Sequence, residues 1–124
     1  MGKKILIIDD EKDFTELMST LLEFHDFSVD AFNDSADVQK GVEKTKYDLV
    51  VTDLMMPHLS GFDVISLLRK TDTYKAVPII ALSAKTLNDK ERKMLLQNSV
   101  HYVMKPFEPQ GLVEQIRQML GEEG

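Results

Sequence analysis

The sequence predicts an α/β protein: a doubly wound, five-stranded parallel sheet with five helices. Three observations predict it. Five short apolar runs alternate with segments whose apolar residues recur at helical spacing. The chain has 124 residues, enough for one domain with a real core, and shows no repeat, low-complexity segment or linker that would divide it. Four of the five runs end in acid, hydroxyl or ammonium chemistry. Parallel strands joined by crossovers bring such ends to one edge of the sheet, where doubly wound folds take their ligands.

The elements follow in order. Ile5–Ile8 is the first strand and runs into Asp9 and Asp10. Phe14, Leu17, Met18, Leu21 and Leu22 then form one helical stripe, with Asp10 as the expected cap and Asp13 in the positive first turn. Phe27–Phe32 reads as a weaker second strand and Ala36–Val42 as a short helix with a thin stripe. Tyr47–Thr52 is the third strand, leading to Asp53; Pro57 and Gly61 break the chain before a helix carrying Val64, Leu67 and Leu68. Val77–Leu82 is the fourth strand, with Pro78 near its start, where a missing donor is tolerated, and Ser83 at its end. Asn88 and Glu91 have capping-box spacing and open a helix with Met94 and Leu95. Val100–Met104 is the fifth strand and ends at Lys105. The last helix carries Leu112, Val113, Ile116, Met119 and Leu120 and stops at Gly121. The domain is therefore expected over 3–120, with 121–124 a disordered tail or a boundary.

Composition narrows the function classes. A net charge of −6 disfavours unaided contact with nucleic acid, whose phosphates would be repelled. The absence of cysteine excludes a disulfide framework and thiol catalysis. No apolar run approaches the length that spans a bilayer, so the chain reads as a cytoplasmic protein without a membrane partner.

In the flavodoxin-like strand order 2-1-3-4-5, the first and third strands are neighbours, so Asp9, Asp10 and Asp53 would face one another. Clustered carboxylates repel unless some protonate or a cation lies between them. An all-oxygen site open to water and phosphate suits Mg2+ better than zinc. Lys105 directly follows a strand, and Pro106 restricts it to extended geometry. Its flexible stem could carry the ammonium across the fourth strand to the acids. Ser83 would lie between the two with a hydroxyl for a phosphoryl oxygen. Singly, each has an ordinary structural explanation as a cap, a strand-end acid, a surface lysine or a turn hydroxyl. Together they describe metal-assisted phosphoryl chemistry.

Four segments, Ile5-Leu6-Ile7-Ile8-Asp9-Asp10-Glu11, Asp53-Leu54-Met55-Met56-Pro57 with Gly61, Ile79-Ile80-Ala81-Leu82-Ser83-Ala84 and Lys105-Pro106-Phe107, stand in order and properly spaced. With them the chain resembles the receiver domains of two-component response regulators, in architecture the single-domain chemotaxis regulator, over about residues 3 to 120. The resemblance implies that Asp53 accepts a phosphoryl group from a phosphohistidine on a sensor histidine kinase or phosphotransfer protein. It implies that Asp10 binds Mg2+ (Mn2+ as substitute) directly, Asp9 more through water, and that the Met55 backbone carbonyl completes the protein ligands with Asp53. Lys105 would contact the phosphoryl group, Ser83 would move to bond it, and Tyr102 would be the aromatic switch. Phosphorylation adds about −1.5 to −2 charge, which would bias the surface of helix four, strand five and helix five toward an unknown downstream protein, output domain or second copy. Such a module catalyses only its own phosphorylation and dephosphorylation.

Some positions depart from the family pattern. The turn before the fifth strand reads Gln97-Asn98-Ser99, with Asn98 the expected left-handed residue. His101 stands where an acid is common, and Met55 and Lys85 fall at variable positions beside the site that influence phosphoryl lifetime. His25 reads as an exposed helix end and His58 as a surface residue. Two other readings use the same residues: a receiver-like docking module that is never phosphorylated, and an aspartyl-phosphate phosphohydrolase of the haloacid-dehalogenase type. The latter wants a second acid two residues after its nucleophile, where Met55 stands. A flavodoxin-like cofactor module would want a glycine- and hydroxyl-rich phosphate loop after the first strand, where Asp9-Asp10-Glu11 stands instead.

Overall fold

A computed structural model describes residues 2–84 and 86–121. Five strands, β1 (Lys4–Ile8), β2 (Ser28–Phe32), β3 (Leu49–Asp53), β4 (Ile79–Ser83) and β5 (Val100–Met104), form one parallel sheet in the order β2-β1-β3-β4-β5. The helices are α1 (Lys12–Phe24), α2 (Val38–Lys44), α3 (Gly61–Lys70), α4 (Asp89–Gln97) and α5 (Pro109–Met119). The fold class and strand order expected from the sequence are those observed.

The two-residue period of the strands divides the core. Ile5, Ile7, Val51, Ile80 and Leu82 pack with Met18 and Leu22 of α1 and Leu112, Val113 and Ile116 of α5. Leu6, Ile8, Val50, Ile79 and Ala81 pack on the other face with Val38 and Val42 of α2, Val64, Ile65 and Leu68 of α3, and Leu95 of α4. The three central strands are covered on both faces, which is why they read as unbroken apolar runs. The edge strands β2 and β5 are part-exposed, and their patterns are correspondingly weaker.

Several local expectations need correction. Asp10 does not cap α1: Glu11 is the N-cap residue and makes no side-chain cap bond. The Asp9 carboxylate instead accepts the Glu11 N–H, at 2.9 Å. The Ala36–Val42 helix begins as a short 3-10 turn over Ser35–Asp37, capped by Asp34, before α2. β3 and β4 are shifted along the chain, because Tyr47 is held outside the sheet by its own hydrogen bonds and Pro78 precedes the first ladder residue. Asp53 and Ser83 are therefore the last residues of their strands, and ladder pairing aligns them with Leu82 and Met104. In the turn before β5 the left-handed residue is Ser99 (φ 55°), while Asn98 keeps a negative φ as the C-cap of α4. The capping box of Asn88 and Glu91 is present in full. Gly121 ends α5 with φ 75°. Lys85 and the tail beyond Gly121 lie outside the described residues.

Candidate functional site

The carboxyl ends of β1 and β3 are adjacent because those strands pair from Ile5↔Leu49 to Ile8↔Thr52. This neighbour relation brings Asp9, Asp10 and Asp53 together, with one oxygen from each lying within 4.8 Å of the others. Asp9 is fully buried, Asp53 nearly so, and Asp10 faces solvent. Three carboxylates at that separation fit a hard divalent cation, with the exposed Asp10 side open to water.

Lys105 completes the cluster from the other side of the sheet. Its stem crosses the ends of β4 and β3, and Nζ lies 3.2 Å from Asp9 Oδ2 and 3.5 Å from Asp53 Oδ2. The ammonium also sits 5.1 Å from the centroid of the Phe14 ring, which packs edge-on against Phe107. The Lys105 N–H donates to the Ser83 carbonyl at 2.8 Å, and the Lys105–Pro106 peptide bond is cis.

The electrostatics follow from this crowding. Burial raises the pKa of Asp9 above the ordinary carboxylate value, and Asp53 adds to the rise; the Glu11 N–H and Lys105 oppose it and lose. For Lys105, burial alone would lower the pKa, but Asp9, Asp53 and Glu11 overcome it and the net direction is upward. One buried ion pair thus coexists with an acid held against its preference. The cause is first the burial of Asp9 and then the neighbouring Asp53 carboxylate, which together outweigh Lys105 and the Glu11 N–H.

Ser83 is fully buried at the end of β4. The Tyr102 hydroxyl reaches the Ser83 carbonyl at 3.5 Å, and its ring packs part-buried against the α2–α4 core cluster. The two expected switch positions are therefore in contact. The Met55 N–H donates to Asp53 Oδ1 at 3.3 Å while its side chain is exposed. His58, exposed and left-handed at φ 71°, lies 4.0 Å from Asp34, and His101 on β5 contacts Gln115 of α5.

Three contributors receive no role in the site from the sequence alone. Glu11 brings Oε1 to 3.5 Å from Lys105 Nζ. Asn33, just past β2, donates from Nδ2 to the Asp9 carbonyl and to Thr15 Oγ1, each at 2.9 Å. Ser35 bonds the loop after β3. The second strand, which ends without acid or ammonium, therefore braces the site instead of supplying ligands. Only Glu11 had a signal, its place directly after the acid pair.

The concavities differ in chemistry. One of about 710 Å³ lies at the opposite end of the sheet beside Asp26, Ser28 and Arg117. A cleft of about 450 Å³ lies beside Lys105 and is lined by Glu11, Phe14, Ala84, Pro106, Phe107 and Pro109. Asp10 lines neither; it opens onto a smaller cleft of about 120 Å³ with Asn33, Ser35, Met56 and Pro57, and the chemistry is assigned to that side of the acids.

Comparison with known proteins agrees with this geometry. Residues 5–117 match the family described as the response regulator receiver domain. The regulatory protein VanRc of Enterococcus gallinarum is 34% identical over 120 residues, covering 97% of this chain and 51% of that protein. The chain spans about half the length of the curated regulators it matches. The receiver domain of sensor histidine kinase PA1611 from Pseudomonas aeruginosa PAO1 has a TM-score of 0.81 at 27% identity, covering 98% of this chain and 100% of that one. That structure is described with a magnesium ion coordinated in its active-site cleft. Chemotaxis protein CheY4 of Vibrio cholerae, at 23% identity, shares the fold with a TM-score of 0.86 over 95% of this chain and 98% of its own. Among the described residues no helix is long and apolar enough to cross a membrane.

Proposed function

The chain belongs to the response regulator receiver domain family, signalling modules of two-component systems, and on that premise we propose that Asp53 is its phosphoacceptor. An Asp53 carboxylate oxygen attacks the phosphorus of a phosphohistidine on a sensor kinase or phosphotransfer protein. The P–N bond breaks, its electron pair leaves with the imidazole nitrogen, and that nitrogen takes a proton from solvent. The observation that carries this reading is the convergence of Asp9, Asp10 and Asp53 with the Lys105 ammonium 3.5 Å from Asp53.

Asp9, Asp10, Asp53 and the Met55 carbonyl would hold Mg2+, with Mn2+ as a substitute. The cation would supply charge neutralisation for the transferred group when bound. Lys105 supplies a second positive charge from the opposite side, 3.2 Å from the buried Asp9 carboxylate. Ser83 and Tyr102, in contact through the Ser83 carbonyl, then couple the new charge to the surface of α4, β5 and α5, where Leu96 and Met104 are exposed. The same residues catalyse phosphoryl uptake and its later hydrolysis, and no other substrate is turned over.

We further assign the domain to residues 3–120 and its setting to the cytoplasm, where its kinase would present the phosphohistidine. With a net charge of −6 the domain itself does not contact nucleic acid; its readout is a protein surface or a phosphorylation-dependent second copy. Incubation with a small phosphodonor and Mg2+, followed by intact mass, tests the assignment. One phosphoryl adduct is expected, absent in Asp53→Ala and after chelation; full labelling of Asp53→Ala would refute it.

A further inference from the structure

The loop from β3 to α3 carries Met55, yet its middle is held from another element. Ser35 is 2% exposed, a buried hydroxyl just past β2. It donates to the Pro57 carbonyl and accepts the Leu59 N–H, both at 2.9 Å. Between those two groups stands His58, whose φ of 71° is a left-handed conformation that a residue with a Cβ adopts only at a cost. A single hydroxyl thus clamps both sides of a strained residue. Ser35 is itself fixed, because the Asp34 carboxylate caps the turn by accepting the Ala36 N–H at 2.9 Å. A small cleft of about 120 Å³ separates this clamp from Asp10, so the clamped loop forms one wall of the acid site.

We propose that Ser35 is a positioning residue for the cation site: its hydroxyl holds the β3–α3 loop in the shape that aims the Met55 carbonyl at the cation, although Ser35 touches neither. The inference rests on the reading that Asp9, Asp10, Asp53 and the Met55 carbonyl take Mg2+. Without the hydroxyl, Pro57 and Leu59 lose their shared partner and His58 relaxes toward negative φ. The turn that follows Asp53 then changes its path.

The test combines Mg2+ titration by calorimetry with amide exchange on metal-free protein. Ser35→Ala should weaken Mg2+ binding about tenfold, the usual scale for removing a group that orients ligands. It should also speed exchange of the Leu59 amide at least about tenfold in the absence of Mg2+. The pair Ser35→Ala with His58→Asn should recover most of the affinity, because asparagine tolerates the left-handed region. A merely structural role would not be repaired by that second substitution. Affinity of Ser35→Ala within about twofold of the parent, or no recovery in the double variant, overturns the proposal. A parent that takes up no Mg2+, or Asp10→Asn binding as tightly as the parent, fails the underlying reading and the proposal with it. Parent binding that depends on Asp10 but is indifferent to Ser35 fails the positioning role alone.

Discussion

Lys105 and Asp9 stand 96 positions apart in sequence, yet Lys105 Nζ lies 3.2 Å from Asp9 Oδ2. Two whole strands, β3 and β4, separate the strands that carry them, and Lys105 bridges the gap with an unbranched stem over Phe14. The ammonium therefore occupies part of the field a cation would feel. Lys105→Met keeps the stem and removes the charge. Mg2+ should then bind more tightly, by roughly tenfold, since one positive charge within a few ångströms is gone. Phosphorylation by a small phosphodonor should nevertheless slow by about a hundredfold, the scale for losing one preorganised charge donor. Calorimetry and timed intact mass would measure the two effects. Slower labelling with weaker Mg2+ binding would contradict this division of roles.

Asp9 gives the acid side of the same balance. Its folded pKa is raised, first by burial and then by Asp53. The sign is then fixed: what Asp9 contributes to stability is fully present below its ordinary value of 3.8 and is lost as pH rises through the folded value. Above the folded value the metal-free protein carries that loss, and a cation between the acids would relieve it. Thermal denaturation at pH 7 should therefore show a Tm that climbs with Mg2+. At a hundred times Kd the linkage gain is about 2.7 kcal/mol. Asp10→Asn should flatten the climb, and an equal climb with Na+ at matched ionic strength would exclude specific binding.

At high pH the tyrosines decide. Tyr47 is buried, its hydroxyl donates to Asp30 at 2.6 Å, and its N–H donates to the Tyr74 hydroxyl at 3.0 Å. Burial raises both phenol pKa values, and for Tyr47 the Asp30 carboxylate raises it further. The unfolded chain thus releases these protons first. Stability is full below the ordinary phenol value of 10.0 and falls as pH rises beyond it toward the folded values. Tyr47→Phe should cost about 1.5–3 kcal/mol at pH 7, the range for a hydrogen bond to a charged group, while making the alkaline slope shallower. Urea midpoints between pH 8 and about 11 would show both changes. A parallel slope in the two proteins would mean that another group titrates.

The central strands were legible because burial on both faces leaves an unbroken apolar run, as in Ile5–Ile8 and Ile79–Leu82. The acids, Ser83 and Lys105 were legible because each terminates such a run. Asn33 and Ser35 were not, since a polar residue after an exposed edge strand looks like any loop residue. Their function depends on which carbonyl and N–H fold back to meet them, and that is a tertiary fact. The missed cap has the same origin: Asp9 took the Glu11 N–H, so the turn into α1 was fixed without Asp10, leaving that carboxylate exposed beside the other acids. Local propensity assigned Asp10 to the helix, but the site claims it.

Gly61 joins the site to α3. It is the first residue of the helix, behind the Ser60–Asp63 capping box, and its N–H donates to the Leu54 carbonyl at 3.0 Å. A Cβ at this position would overlap the Asp53 carbonyl oxygen and the Leu54 Cα, both backbone atoms that cannot rotate away. Either α3 withdraws or the end of β3 shifts, and the second moves Asp53 against Asp9 and Lys105. Gly61→Ala should therefore cost about 1–3 kcal/mol, as overpacking does, and should slow Mg2+-dependent labelling of Asp53 as well. Gly111, inside α5 with nothing within 4 Å of an added Cβ, is the matched control. There alanine should stabilise by about 0.5–1 kcal/mol through helix propensity alone and leave labelling unchanged. Equal effects of the two substitutions on stability and labelling would show that the tight approach at Gly61 does not set the position of Asp53.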